Sequence, residues 1–174
     1  LTTGSYNTAI GYEALIAANN TASNNTAIGA YALTDNTTGA KNTALGTQAL
    51  ANNTTSDDSV AVGYYALHNN TAANNTAVGT QALIANTTGS SNTAVGGFSL
   101  DANTTGDKNT ALGYAAMSDN TTGSGNVAIG ENSLADNTTA SNNIAIGMDA
   151  LRLNTIGELN TAVGESAMKG ATTG

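Results

Sequence analysis

The sequence predicts an all-β protein, a parallel β-solenoid (β-roll) of ten coils of about 17 residues, and three observations carry that reading. A phrase of the form Asn-Thr-Ala-aliphatic-Gly occurs in ten copies, closing at Gly11, Gly29, Gly46, Gly63, Gly79, Gly96, Gly113, Gly130, Gly147 and Gly164. Successive glycines keep one fixed period, that from Gly79 to Gly96, except that Gly11 to Gly29 is one residue longer and Gly63 to Gly79 one shorter. Such a unit is too short for a helical hairpin, whose repeats run to about 33 residues or more, whereas it suits one coil of short strands and tight turns. The third observation is local: Thr-Ala-Ile-Gly alternates at the two-residue period of a strand.

Taken in order along one coil, each column has a physical reading. An Asn opens nearly every phrase, Ser59 being the exception, and stacked amides are expected to bond along the rod as ladders. Next comes a Thr column that admits Val60, Val127 and Ile144, then an invariant Ala column from Ala9 to Ala162, then an aliphatic column of Ile, Leu and Val. If the aliphatic residue points inward, the Thr column shares its face, and Ala and Gly face the other way. Invariant Ala and Gly there imply close approach by another wall of the coil or by another chain. Four residues after the glycine stands Leu, replaced by Met117 and Met168, which is expected to cap the core from a second strand. The columns are represented by Ala9, Ile10, Gly11 and Leu15 in the first coil and by Ala94, Val95, Gly96 and Leu100 in the sixth. Asn-Thr-Thr-Gly and Asn-Asn-Thr segments supply turns, since Asn and Gly accept positive φ cheaply. Two or three short strands per coil, each coil climbing about 4.8 Å, give a rod on the order of 50 Å long.

Composition narrows the function. The chain has 174 residues, 9% of them charged, a net charge of -8, no Pro, Cys or Trp and one Phe. Small aliphatic residues make a thin core, so oligomerisation is expected to raise the buried fraction. Only Lys41, Lys108, Arg152 and Lys169 are basic, which argues against nucleic-acid binding. No stretch is long or apolar enough to span a bilayer as a helix. Residues 1–174 read as a single repetitive segment, and because both ends fall inside the repeat's turn we expect an excerpt of a longer fibre.

The phrases Asn-Thr-Ala-Ile-Gly-Tyr-Glu-Ala-Leu and Asn-Thr-Thr-Gly-Ala-Lys-Asn-Thr-Ala-Leu-Gly resemble repeat regions of phage tail fibres and related surface fibres. Ser59-Val60-Ala61-Val62-Gly63 and Asn126-Val127-Ala128-Ile129-Gly130 are similar, more distantly, to the head repeats of trimeric autotransporter adhesins. The resemblance covers all ten copies, although the adhesin repeat is shorter. It implies a left-handed roll, a homotrimer, and display outside the cell or on a virion.

Catalytic chemistry finds no foothold. The only His, His68, occupies a slot that elsewhere holds Ile16, Thr34, Ala51, Asp101 or Arg152, and no Cys exists to act as a nucleophile. Glu13, Glu131, Asp149 and Glu165 fall on the variable part of the coil as solvated charge. Asp35, Asp119 and Asp136 share one offset, but the intervening copies bring Asn52, Asn69, Ala85 and Ala102, a sparse oxygen shell for calcium. No cofactor or phosphate loop is expected. Tyr12, Tyr64 and Tyr114 fall one residue after the glycine, and Tyr31, Tyr65 and Phe98 two after; they read as sugar- or protein-contacting rings, or as packing at the coil edge or a trimer seam. Asn36, Asn53, Asn86, Asn103, Asn120 and Asn137 each precede Thr-Thr and are acceptor sequences for N-glycosylation, while turn chemistry and ladders account for the same residues.

The expected role is therefore structural and adhesive: a shaft or head of an extracellular, cell-surface or virion fibre, non-enzymatic, with a host glycan or protein as partner. A self-assembling filament is the alternative, and an ice-binding solenoid a second.

Overall fold

A computed structural model describes residues 3–17 and 20–172, and among these all regular structure is β. Ten three-residue strands form one parallel sheet in sequence order: β1 Thr8–Ile10, β2 Thr26–Ile28, β3 Thr43–Leu45, β4 Val60–Val62, β5 Thr76–Val78, β6 Thr93–Val95, β7 Thr110–Leu112, β8 Val127–Ile129, β9 Ile144–Ile146 and β10 Thr161–Val163. The chain winds a β-solenoid of about nine turns. Register follows the position in the repeat rather than residue count: Ala77 pairs with Ala94 one full period on, and Val60 with Thr76 one residue short of a period. The residue missing from that coil is lost from a turn, so the strand pairing is undisturbed.

Each coil has one strand, not the expected two or three. The rest of the circuit is turns, and they are built unlike those foreseen. Residues two and four after the glycine take positive φ, including Tyr31 at 59° and Leu33 at 52° in the second coil and Gln48 at 58° and Leu50 at 51° in the third. Left-handed backbone costs a non-glycine residue on the order of 1 kcal/mol. Here it turns alternate N–H groups along the rod axis in opposite senses: Tyr31 N–H donates to the Tyr12 carbonyl of the preceding coil at 2.8 Å, and Leu33 N–H to the Ala49 carbonyl of the following coil at 3.1 Å. The corner thus continues the sheet's axial hydrogen bonding where no strand exists, and the bonds offset the strain.

The assignment of faces is the reverse of the expectation. Along the strands it is the Ala column that faces the core: Ala27, Ala44, Ala61, Ala77, Ala94, Ala111, Ala128 and Ala145 have no exposed surface. The aliphatic and Thr columns face outward, with Ile10 60%, Leu112 47% and Val163 67% exposed. Inside, the strand alanines share one cluster with the corner alanines Ala32, Ala49, Ala66, Ala82 and Ala116 and with the Leu column, completely buried from Leu33 to Leu151. That Leu comes from the corner and not from a second strand. A coil this short encloses room for one large side chain, so the strand facing it is held to Ala. Each buried Leu contributes roughly 1.5–3 kcal/mol by leaving water.

Candidate functional site

Two Asn columns flank the apolar core and close each coil. The Asn opening a phrase accepts, through Oδ1, the backbone N–H of its counterpart one coil later: Asn25 accepts from Asn42 at 2.8 Å, Asn92 from Asn109 at 2.9 Å and Asn109 from Asn126 at 3.0 Å. Its Nδ2 crosses to the far side of the coil, as in Asn92 to the Gly106 carbonyl at 2.8 Å. The second column bonds side chain to side chain, with Asn103 Nδ2 to Asn86 Oδ1, Asn120 to Asn103 and Asn137 to Asn120, each at 2.8 Å. Both columns converge on the same carbonyls, since Asn103 Nδ2 also reaches Gly106 at 3.1 Å. Ser59 carries the first column with a longer link, accepting Asn75 N–H at 3.4 Å.

The same ladder bears on the six acceptor sequences. Asn36, Asn53, Asn86, Asn103, Asn120 and Asn137 are wholly buried, and the nitrogen that would carry a sugar is a ladder donor in every one: Asn36 to Gly39 at 2.9 Å, Asn53 to Asn36 at 3.1 Å, Asn86 to Gly89 at 2.8 Å, and the others as above. In the folded coil each of these nitrogens is already hydrogen-bonded.

The representative columns fall as the reversed faces require. Leu15, Ala94 and Leu100 are buried, Ile10 is exposed, Val95 is half-buried, and Ala9 in the first coil is exposed. Gly96 has φ +133°, and a Cβ there would collide with the carbonyl of Gly113 in the next coil; Gly11 has the same relation to Gly29. The glycine column is fixed by both backbone angle and coil spacing.

Among the described residues there is no pocket and no group of three His, Asp or Glu placed to hold a metal ion. Asp119 and Asp136 occupy neighbouring coils while Asp35 lies five coils from Asp119, so the shared offset builds no oxygen shell. His68 Nδ1 lies 2.9 Å from Asn69 Oδ1, and its ring is tilted over Tyr65 at a centroid distance of 4.8 Å. Asp149 sits between Lys169 at 2.7 Å and Arg152 at 3.3 Å; the bond from Lys169 above all holds its carboxyl below the usual carboxylate range. Asp101 is the opposite case, pushed up by burial, with Oδ1 lacking a hydrogen-bond partner.

Two exposed surfaces remain. The outward sheet face carries the Thr and aliphatic columns and has no charged residue in any of the ten strands. Beside it runs the corner, where six of the seven aromatic residues gather, Tyr6 being the exception. Tyr12 meets Tyr31 edge-to-face at 5.4 Å, Tyr64 meets Tyr65 at 4.4 Å, and Tyr114 meets Phe98 at 5.8 Å. The three residues directly after the glycine, Tyr12, Tyr64 and Tyr114, are 65%, 50% and 56% exposed, while their partners are half-buried. Sequence reasoning named these rings but not their pairing, which joins adjacent coils in two of the three cases. No family model, curated protein or solved structure matches this chain.

Proposed function

We propose that this chain is a structural and adhesive segment of an extracellular, cell-surface or virion fibre, a left-handed roll assembled as a homotrimer through the outward sheet face. The observation that carries the reading is that face: ten aliphatic side chains in one uncharged column, flanked by Thr, Val and Ile. An unbroken apolar strip of this kind marks an interaction surface. A strip about 50 Å long and about 10 Å wide covers roughly 500 Å², before side-chain relief is added, against about 800 Å² per partner in a standard interface. A second copy is the partner whose ridges share this axial period along the full length.

Native mass spectrometry with light scattering tests the assembly: a mass three times the chain is expected, and a monomer at micromolar concentration overturns it. Open-ended polymers would instead support the filament reading. The outward Thr column bears on ice binding as well, but Val60, Val127 and Ile144 interrupt it. Thermal hysteresis of the purified chain tests that reading directly.

A further inference from the structure

The paired rings do not sit at arbitrary heights. Tyr12, Tyr64 and Tyr114 belong to the first, fourth and seventh coils, so equal intervals of three coils separate them, about 14 Å at the inter-strand spacing. In the third and fifth coils, between the rings, the same two corner positions hold Thr47 with Gln48 and Thr80 with Gln81. The threonines are exposed and the glutamines half-exposed. Ala30 and Gly97 complete the first of these positions through the seventh coil, and Gly97 lies under the ring of Tyr114, 3.6 Å from Cδ2 to where a Cβ would stand.

Glu13, beside Tyr12 in the first coil, is the one charged residue at these two corner positions before the eighth coil, where Glu131 enters, followed by Asp149 and Glu165. Along the rod the corner therefore reads aromatic, hydroxyl and amide, aromatic, hydroxyl and amide, aromatic. Each exposed ring is braced by a second one, so its orientation is set before any ligand arrives.

We propose that this corner binds a neutral, linear, extended polysaccharide lying parallel to the rod axis. Tyr12, Tyr64 and Tyr114 would stack on sugar faces at three-coil intervals, and Thr47, Gln48, Thr80 and Gln81 would bond to the hydroxyls between. The inference rests on the fibre reading above and supplies its partner. An apolar protein partner would not use the Thr-Gln pairs, and an acidic glycan would meet no cation at these corner positions from the first coil to the seventh, since Lys41 and Lys108 belong to a different part of the coil and Arg152 and Lys169 lie further along, paired with Asp149. Platforms that are weak singly act together on one chain through effective concentration, so affinity depends on ligand length.

The test is affinity electrophoresis of the intact chain in gels containing hydroxyethyl cellulose, glucomannan or dextran, with alginate as the acidic control, alongside calorimetry with a disaccharide and a hexasaccharide of the retained polymer. Retention by at least one neutral polymer, at least tenfold weaker in Tyr64→Ala and weaker again in Tyr64→Ala with Tyr114→Ala, is the expected result, with the hexasaccharide binding at least tenfold more tightly than the disaccharide. Tyr64→Phe keeps the ring and should keep most of the retention. Retention by no neutral polymer, retention unchanged in the double variant, or retention by alginate alone overturns the proposal. Native mass on the same samples separates the two readings: a fall in oligomer mass in Tyr64→Ala assigns the ring to the subunit seam and overturns the glycan site, whereas an intact oligomer without retention overturns the glycan site and leaves the fibre standing.

Discussion

Asn103 Nδ2 donates to Asn86 Oδ1 one coil earlier at 2.8 Å and to the Gly106 carbonyl of its own turn at 3.1 Å, all without solvent contact. One amide thus closes its own coil and fastens it to the one before. Removing it leaves the Asn86 oxygen without a donor, while the Gly106 carbonyl keeps the Asn92 amide at 2.8 Å; one orphaned buried group costs about 1–3 kcal/mol. Asn103→Ala should therefore lower stability by about 1–3 kcal/mol, measured by urea unfolding, and a loss under about 0.5 kcal/mol would show that the ladder is dispensable.

The same burial predicts the absence of sugar. Expressed through a glycosylating secretory route, the folded chain should carry no hexose increments at Asn36 or Asn120 by intact mass. Sugar at either position would mean that modification precedes coiling.

Ala94 and Gln81 test the reversed faces. Ala94 lies against the buried Leu column, so Ala94→Phe overfills a core with no slack and should cost about 3 kcal/mol or more, or prevent folding. Gln81→Ala at the corner should change stability by less than about 1 kcal/mol. Comparable melting temperatures for the two variants would sink this account of the packing.

Leu112 and Leu45 point outward from the sheet, 47% and 44% exposed. Leu112→Asp should leave the circular dichroism spectrum intact while halting assembly, because a charge placed in the apolar strip stays solvated in a lone chain and becomes buried in an oligomer. An oligomer of unchanged mass and salt dependence would place the interface elsewhere.

Asp101 supplies a pH dependence with a definite sign. Its carboxyl is raised by burial, so the folded state holds the proton more tightly than the unfolded chain does; the stability this confers is present below the unfolded pKa and is lost as pH rises through the folded one. Asp101→Asn should therefore raise the melting temperature at pH 7, with the gain shrinking toward pH 3. Asp149 has the opposite sign: Lys169 lowers its carboxyl, and the resulting stability, present above the unfolded pKa, is lost as pH falls through the folded one.

The fold class, the coil period and the strand positions were legible in the sequence, because repetition at so short a period permits little else and the Thr-Ala-aliphatic phrase marks each strand. The direction of the faces was not. Period-two alternation separates two sets of side chains without saying which set is inside, and hydrophobicity pointed to the wrong one. Invariance of size was the better signal: the aliphatic column tolerates Ile, Leu and Val because it is outside, and the Ala column tolerates nothing because the core is full. The Thr-Thr acceptor sequences were ambiguous for a related reason, since a buried ladder and a surface turn both call for Asn.

What the sequence by itself determined is periodic: one coil per phrase, a glycine where neighbouring coils touch, an amide column where polar groups must be satisfied. What only the tertiary structure decided is radial and axial. A closed circuit this short has one small interior, which fixes Ala and Leu as its filling and turns the larger strand residues out. Stacking at the strand spacing then brings Tyr12 against Tyr31 and Phe98 against Tyr114 across neighbouring coils, at distances set by the backbone ladder rather than by sequence separation.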